Sequence, residues 1–383
     1  MFILFRAICT MDYDYFNGRP RDVIAEHARR VRYQVFIRFR LRDAHNPLDM
    51  SIEGFVELYR MPQDIFLDLL EVITPFVPHR QSRLAIPLYM RLLCALSFYA
   101  TGTYQEHNGT AMHHPMSQAS VSYCIKEVTN ALNHPLVFTR FVRFPLTHAE
   151  RLALVDRNAR MGLPGVIGLI DGTIIRITPP PKPNVHYYSR KGSTSLNVMI
   201  VCDTDLNIIN VNARYPGSSH DSHVYNNSTV RDVMEAAFRE DPCWLLGDQG
   251  YPRLPWLMTP VWRPVRGTPE YYYNVLHSRV RMVVERCIGV LKARWRCICN
   301  DNALPYRPEK SGQIINACVV LHNILTRCRL AVPVHHAGFQ DPREPNYVVP
   351  PEYEDVGAFF ADADAVQAEL VDHANWFMNR NLH

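Results

Sequence analysis

Val166-Ile167-Gly168-Leu169-Ile170-Asp171-Gly172-Thr173-Ile174-Ile175-Arg176-Ile177 decides the fold of this chain. Two apolar runs, Val166–Ile170 and Ile174–Ile177, read as one buried strand bent at Gly172. The acid Asp171 stands where the first run closes, a place where carboxylates face the ligands that gather at strand ends. Downstream, Leu196–Cys202 and Ile208–Asn212 flank Asp203-Thr204-Asp205, a hairpin signal. Asp221 through Arg239 then turns helical, Trp244–Leu246 returns to strand, and Tyr271 to Arg296 is helical again. The order is strand, hairpin, helix, strand, helix.

Three more acids fall at the ends or turns of these elements. Asp221 stands in Gly217-Ser218-Ser219-His220-Asp221 at a helix mouth, and Asp248 closes the run Cys243-Trp244-Leu245-Leu246-Gly247. Glu285 lies inside the helical stretch Arg279–Lys292. Each has an ordinary alternative. Asp171 suits a turn, Asp221 a helix cap, Asp248 a loop cap, and Glu285 an ion pair with Arg281 one turn earlier. Taken together, four carboxylates from successive core elements form an all-oxygen set suited to Mg²⁺ or Mn²⁺. Two such cations about 3.5–4 Å apart can activate a water and stabilise the leaving oxygen of a phosphodiester. In that arrangement Asp171, Asp248 and Glu285 are the expected catalytic residues, and all four acids the expected metal ligands, with Asp171 bridging.

The spacing Asp171–Asp248–Glu285 covers 77 and then 37 positions. Gly168-Leu169-Ile170-Asp171-Gly172-Thr173, Pro216-Gly217-Ser218-Ser219-His220-Asp221, Leu245-Leu246-Gly247-Asp248-Gln249-Gly250-Tyr251 and Val284–Lys292 resemble the Harbinger transposase-derived nucleases of the DDE superfamily. The resemblance implies an α/β fold with a ribonuclease-H-like catalytic core and a metal-dependent DNA endonuclease. It also implies a Myb-like DNA-binding partner and a distribution between nucleus and cytoplasm. A domesticated, non-catalytic DNA-binding or adaptor protein would carry the same words.

Around that core the chain divides into an Arg-rich leader (1–50), a helical domain (51–155), the nuclease domain (156–330) and an acidic, Pro-containing tail (331–383). Within the helical domain, Phe66–Val72 is amphipathic and Tyr89–Tyr99 is apolar nearly all round, hence buried. Thr110–Ser122 reads as a helix, a turn and a second helix capped by Ser117, with Val121, Ile125, Val128 and Leu132 at helical spacing. This is either a helix-turn-helix, with Gln118, Ser122, Tyr123 and Lys126 facing DNA, or an ordinary packing unit of three helices.

Charge supports a polyanionic substrate, although any single run could be a solvated face. A basic front and a basic helix around Glu285 contrast with the acidic tail after Asp341, a plausible surface for a basic partner. On that helix Val280, Val284, Cys287, Ile288, Leu291 and Trp295 form the core stripe, leaving Arg279, Arg286, Lys292, Arg294 and Arg296 for phosphates. His186–Gly192 is a second basic, aromatic patch read as facing substrate. The ten cysteines sit mostly in apolar runs and read as reduced structural thiols. No apolar run approaches the roughly 18 residues of a membrane span, and Met1–Phe5 is too short for a secretory signal, with Met11 an alternative start. The expectation is a soluble intracellular protein without a membrane partner.

Overall fold

The computed structural model describes residues 46–80, 85–103, 116–180, 192–299, 303–330 and 364–374, with Glu26, Arg29, Arg30, Tyr33, Tyr187 and Tyr188 as isolated positions. Nearly all of the Arg-rich leader, the first half of the helix-turn-helix segment, much of the loop 186–192 and the tail apart from 364–374 lie outside the described residues.

Among the described residues six continuous α-helices precede the sheet: α1 Ile52–Tyr59, α2 Gln63–Ile73, α3 Leu88–Thr101, α4 Gln118–Leu132, α5 Pro135–Phe141 and α6 His148–Ala159. Local chemistry starts several of them. The Ser51 hydroxyl accepts the Gly54 N–H, the Ser117 hydroxyl accepts that of Ser120, and Thr147 with Glu150 completes a reciprocal cap on α6. α3 is buried from Met90 to Ala100, as its unbroken apolar face predicts. It carries one charge inside, Arg91, whose guanidinium donates to Glu127 of α4 at 2.8 Å. On α4, Val121, Ile125, Val128 and Leu132 are buried, while Gln118, Tyr123 and Lys126 are exposed.

Among the described residues the sheet has five strands in the order β3-β2-β1-β4-β5: β1 Val166–Arg176, β2 Ser195–Cys202, β3 Ile208–Pro216, β4 Trp244–Leu246 and β5 Leu257–Met258. β1, β2 and β3 form an antiparallel meander, whereas β4 and β5 run parallel to β1. The predicted bent strand is one continuous β1. Between β3 and β4 come α7 Asp221–Asn226 and α8 Thr229–Glu240, and after β5 come α9 Pro269–Arg294 and α10 Pro308–Arg327. A further helix, α11, covers 364–374. Among the described residues no helix is long and apolar enough to cross a membrane.

Alternation along the strands gives the sheet two apolar faces. Leu169, Ile175, Leu196, Val198 and Ile200 join one cluster with α9, α10 and the helices before the sheet. Ile167, Ile170, Met199, Val201 and Leu245 join another, with Val224 and Tyr225 of α7 and Val230 and Met234 of α8. The fold is therefore mixed α/β with helices on both faces, and the helices from α1 to α5 share one continuous core with the sheet.

Both edges of the sheet are covered, which removes templates for pairing with other chains. At β3, the Asn323 side chain of α10 accepts the Ile208 N–H at 2.8 Å and donates to the Ile208 carbonyl at 2.7 Å, acting as a short strand would. The same amide donates to the Phe141 carbonyl at 2.8 Å. At β5, Gln367 of α11 donates to the Thr259 carbonyl at 2.7 Å, Arg253 pairs with Asp364 at 2.5 Å, and Leu370, Val371 and Ala374 enter the core. Asn323 is fully buried, so Asn323→Leu is expected to cost about 2–3 kcal/mol, since it leaves the buried Ile208 N–H and carbonyl without a partner, while the Phe141 carbonyl keeps Arg327. Urea denaturation measures this, and a change within about 0.5 kcal/mol, as for an ordinary surface substitution, would contradict it.

Candidate active site

Each predicted acid is delivered by a different element. Asp171 lies mid-way along β1, opposite Ile200 of β2. Asp248 follows β4, the strand beside β1, and Asp221 opens α7. Glu285 sits in the second half of α9, whose apolar stripe Val280, Val284, Cys287, Ile288 and Leu291 is buried.

Asp171 shows how close these charges come. Burial and then the Asp248 carboxylate push its pKa up to about 8, with Asp221 adding to the rise. Arg281 and the Gly172 N–H, which donates to the Asp171 carboxylate at 2.9 Å, oppose it. Tyr251 lies behind the same acids, its phenol raised by burial and by Asp221, Asp171 and Asp248. The Tyr251 hydroxyl is buried without a hydrogen-bond partner among the described residues.

Arg281 joins the remaining acid to this group. Its guanidinium donates to Asp171 at 3.3 Å and pairs with Glu285 four residues on. The ion pair foreseen as the ordinary role of Glu285 is thus present, and it also reaches the first strand. Asp248 accepts the Gly250 N–H at 2.8 Å, the local turn that its sequence allows. Asp221 is held from the sheet side, where Asn197 of β2 donates to its carboxylate at 2.7 Å. It presses on Gly172 so tightly that a Cβ there would lie 2.2 Å from Asp221 Oδ1. The cap of α7 is formed by His220, so Asp221 is the first residue inside the helix.

The donor set is all carboxylate oxygen, which suits a hard divalent cation. Burial first and the neighbouring carboxylates second raise Asp171, and a cation would relieve the carboxylates' share. Among the described residues, however, no three His, Cys, Asp or Glu side chains form a finished cation cage. Asp171, Asp221 and Asp248 are gathered as electrostatic neighbours, while Glu285 reaches them through Arg281.

Two basic residues assigned to phosphates are placed otherwise. Lys292 is buried and donates to the Ile174 carbonyl at 3.2 Å. Arg294 is buried and donates to the Leu330 carbonyl at 2.6 Å and the Thr326 hydroxyl at 3.0 Å. Arg279 and Arg286 remain exposed, and Arg296 is half-buried. Sequence reasoning missed Asn197, Tyr251 and the bridging role of Arg281. Asn197 alone had a signal, an amide inside the apolar run Leu196–Val201.

Comparison with known proteins agrees with this geometry. The family model described as "DDE superfamily endonuclease" matches residues 170–323, the span that holds all four acids. The human protein "Putative nuclease HARBI1" is 36% identical over 342 residues, covering 87% of this chain and 92% of that protein. Its Xenopus laevis counterpart of the same name is 34% identical over 289 residues, 75% of this chain and 80% of that one. The Arabidopsis thaliana "Protein ALP1-like" is 31% identical over 180 residues, 43% of this chain and 44% of that one. No solved structure matches the chain. Near-full-length likeness to the nuclease-named relatives, with a family match spanning the carboxylates, means that the chain belongs to the Harbinger transposase-derived nucleases of the DDE superfamily.

Proposed function

We propose that this chain is a divalent-metal-dependent DNA endonuclease that hydrolyses phosphodiester bonds at the carboxylates of Asp171, Asp248 and Glu285. Asp221 completes the set that holds two Mg²⁺ or Mn²⁺ ions. Bound there, the cations would supply a Lewis acid and an activated water. The observation that carries the reading is the gathering of carboxylates from separate elements: Asp221 lies against Gly172, beside Asp171, and Arg281 spans Asp171 and Glu285, with the Asp171 pKa raised by burial and then by Asp248 in keeping with it. Proteins rarely bury like charges together without a partner for them. Arg281 supplies one positive charge to Asp171 and Glu285, and cation binding would take over that task.

The strand order β3-β2-β1-β4-β5, with an antiparallel meander followed by parallel strands, supports the ribonuclease-H-like reading of the core. Exposed Arg279 and Arg286 beside Glu285 suit a phosphate backbone. The same reading carries a Myb-like DNA-binding partner and residence in both nucleus and cytoplasm. The non-catalytic adaptor stays as a second reading on one observation: Arg281 already pairs with Asp171 and Glu285, so part of the acid cluster is balanced without metal.

Metal decides between them. Purified full-length protein should melt several degrees higher in millimolar Mn²⁺ than in chelator, because a ligand bound only by the folded state adds RT ln(1 + [L]/Kd). It should also nick supercoiled DNA in Mn²⁺ faster than it cuts matched RNA. No metal-dependent shift and no nicking would leave the adaptor standing. Faster cutting of RNA would make the enzyme a ribonuclease.

A further inference from the structure

Trp262 is placed unlike the other described tryptophans. Trp244, Trp256 and Trp295 are buried, whereas Trp262 is 53% exposed. It stands on the loop between β5 and α9, with the Arg263 guanidinium 5.2 Å from its ring centre. An indole left in water loses the stabilisation that burial would give, and with a guanidinium beside it this one presents the kind of surface on which bases stack.

The loop is held firmly beneath it. Asn274 of α9 donates to the Val261 carbonyl and accepts the Val261 N–H, both at 2.8 Å. The Tyr273 hydroxyl donates to the Thr259 carbonyl at 3.2 Å. At the other end Thr268 caps α9 and donates through its hydroxyl to the Val265 carbonyl at 2.9 Å. Arg263 adopts a left-handed φ of 44°, a turn that such anchoring can hold. The platform is therefore pre-ordered, which lowers the entropy cost of binding.

Its position relates it to the acids. β4 and β5 are parallel neighbours, so Asp248 after β4 and the Trp262 loop after β5 leave the sheet at the same end. From there α9 carries Val275, Arg279, Met282 and Arg286 at intervals of four, three and four, one stripe along the helix. All four are exposed. Glu285 falls about 90° around the helix from the centre of this stripe, given 100° per residue. Cations and flat or flexible apolar groups thus alternate from the loop towards the catalytic edge, with Arg266 exposed on the loop itself. Arg266, Arg279 and Arg286 form no ion pair among the described residues.

On the nuclease reading above, we infer that Trp262 and Arg263 form a stacking platform for an unpaired base of the DNA strand that reaches the carboxylates, with Arg266, Arg279 and Arg286 tracking its phosphates. A π-face and a guanidinium accept any base, so the contact senses an unpaired strand and not a sequence. Duplex ends or junctions should therefore bind better than closed duplex.

Anisotropy of labelled DNA with the full chain, in chelator so that nothing is cut, tests this. Wild type should prefer a forked duplex over a blunt one of equal length. Trp262→Ala should weaken fork binding about 5- to 100-fold, as loss of one stacked base would, and change blunt-duplex binding little. Trp262→Phe should recover most of the loss. Arg279→Gln with Arg286→Gln should weaken both substrates and flatten the salt dependence. Equal effects of Trp262→Ala on fork and blunt duplex, or no effect on either, would overturn the platform while leaving the nuclease reading intact. So would unchanged DNA binding together with a dimer that Trp262→Ala converts to monomer in sedimentation, since the indole would then seal an interface between copies. Wild type that binds neither DNA would overturn the nuclease reading and the platform together.

Discussion

Asp171→Asn is expected to abolish metal-dependent cleavage, a loss on the order of 10³-fold or more, as for other groups acting directly at the reacting atoms. The protein should still fold. The asparagine oxygen can accept the Gly172 N–H as the carboxylate does now, and the neutral amide matches the protonated form that burial and Asp248 favour at Asp171. The pH response gives an independent reading in metal-free protein. Asp171 is raised from 3.8 to about 8 on folding, so the unfolded chain releases this proton first as pH rises. Its effect on stability is therefore absent below about 4 and grows unfavourable towards 8. The variant should be flatter across that window, with equal or higher stability near neutral pH. Nicking assays and urea titrations at several pH values check both parts. Residual cleavage within tenfold of wild type would remove Asp171 from the chemistry.

Gly172→Ala should have the second largest effect, through geometry alone. The new Cβ would lie 2.2 Å from Asp221 Oδ1 and 2.7 Å from its Cγ. Because the obstacle is the end of a short side chain, folding should survive at a cost of about 1–2 kcal/mol, as for modest overpacking. Asp221 must swing away, and doing so breaks its 2.7 Å hydrogen bond from Asn197. Displacing a ligand by about 1 Å typically costs 10²-fold in rate, so cleavage should drop about a hundredfold and the Mn²⁺ shift in melting should shrink. Asn197→Ala should reproduce part of this without any clash. Wild-type activity in Gly172→Ala would show that Asp221 plays no part at the site.

Much of this arrangement was legible because period and punctuation agree. β1 was visible as an apolar run of strand length, the β2–β3 hairpin by its Asp-containing turn, and α9 by its stripe from Val280 to Leu291. The acids stood out because each interrupts or ends such a pattern. Other features were hidden for identifiable reasons. β5 has two residues between Pro255 and Pro260, too few to show alternation. The helix expected from Asp221 to Arg239 breaks after Asn226, where the Ser228 hydroxyl donates to the Tyr225 carbonyl and draws the backbone out of register. Lys292 and Arg294 were assigned to phosphates by their charge, yet carbonyls at Ile174 and Leu330 accept from them inside. A charge pattern reports what a side chain carries, and only packing shows which acceptors lie within its reach.

The covering of β5 by α11 also has a consequence in time. A ribosome delivers the chain from its N-terminus, so β5 emerges about a hundred residues before the helix that shields it. At about 5–20 residues per second, the nascent protein carries an open strand edge, and the apolar seat of Leu370, Val371 and Ala374, for roughly 5–20 seconds. Synthesis that pauses between these elements should favour aggregation or chaperone capture. A chain released at residue 340 would hold that immature state permanently.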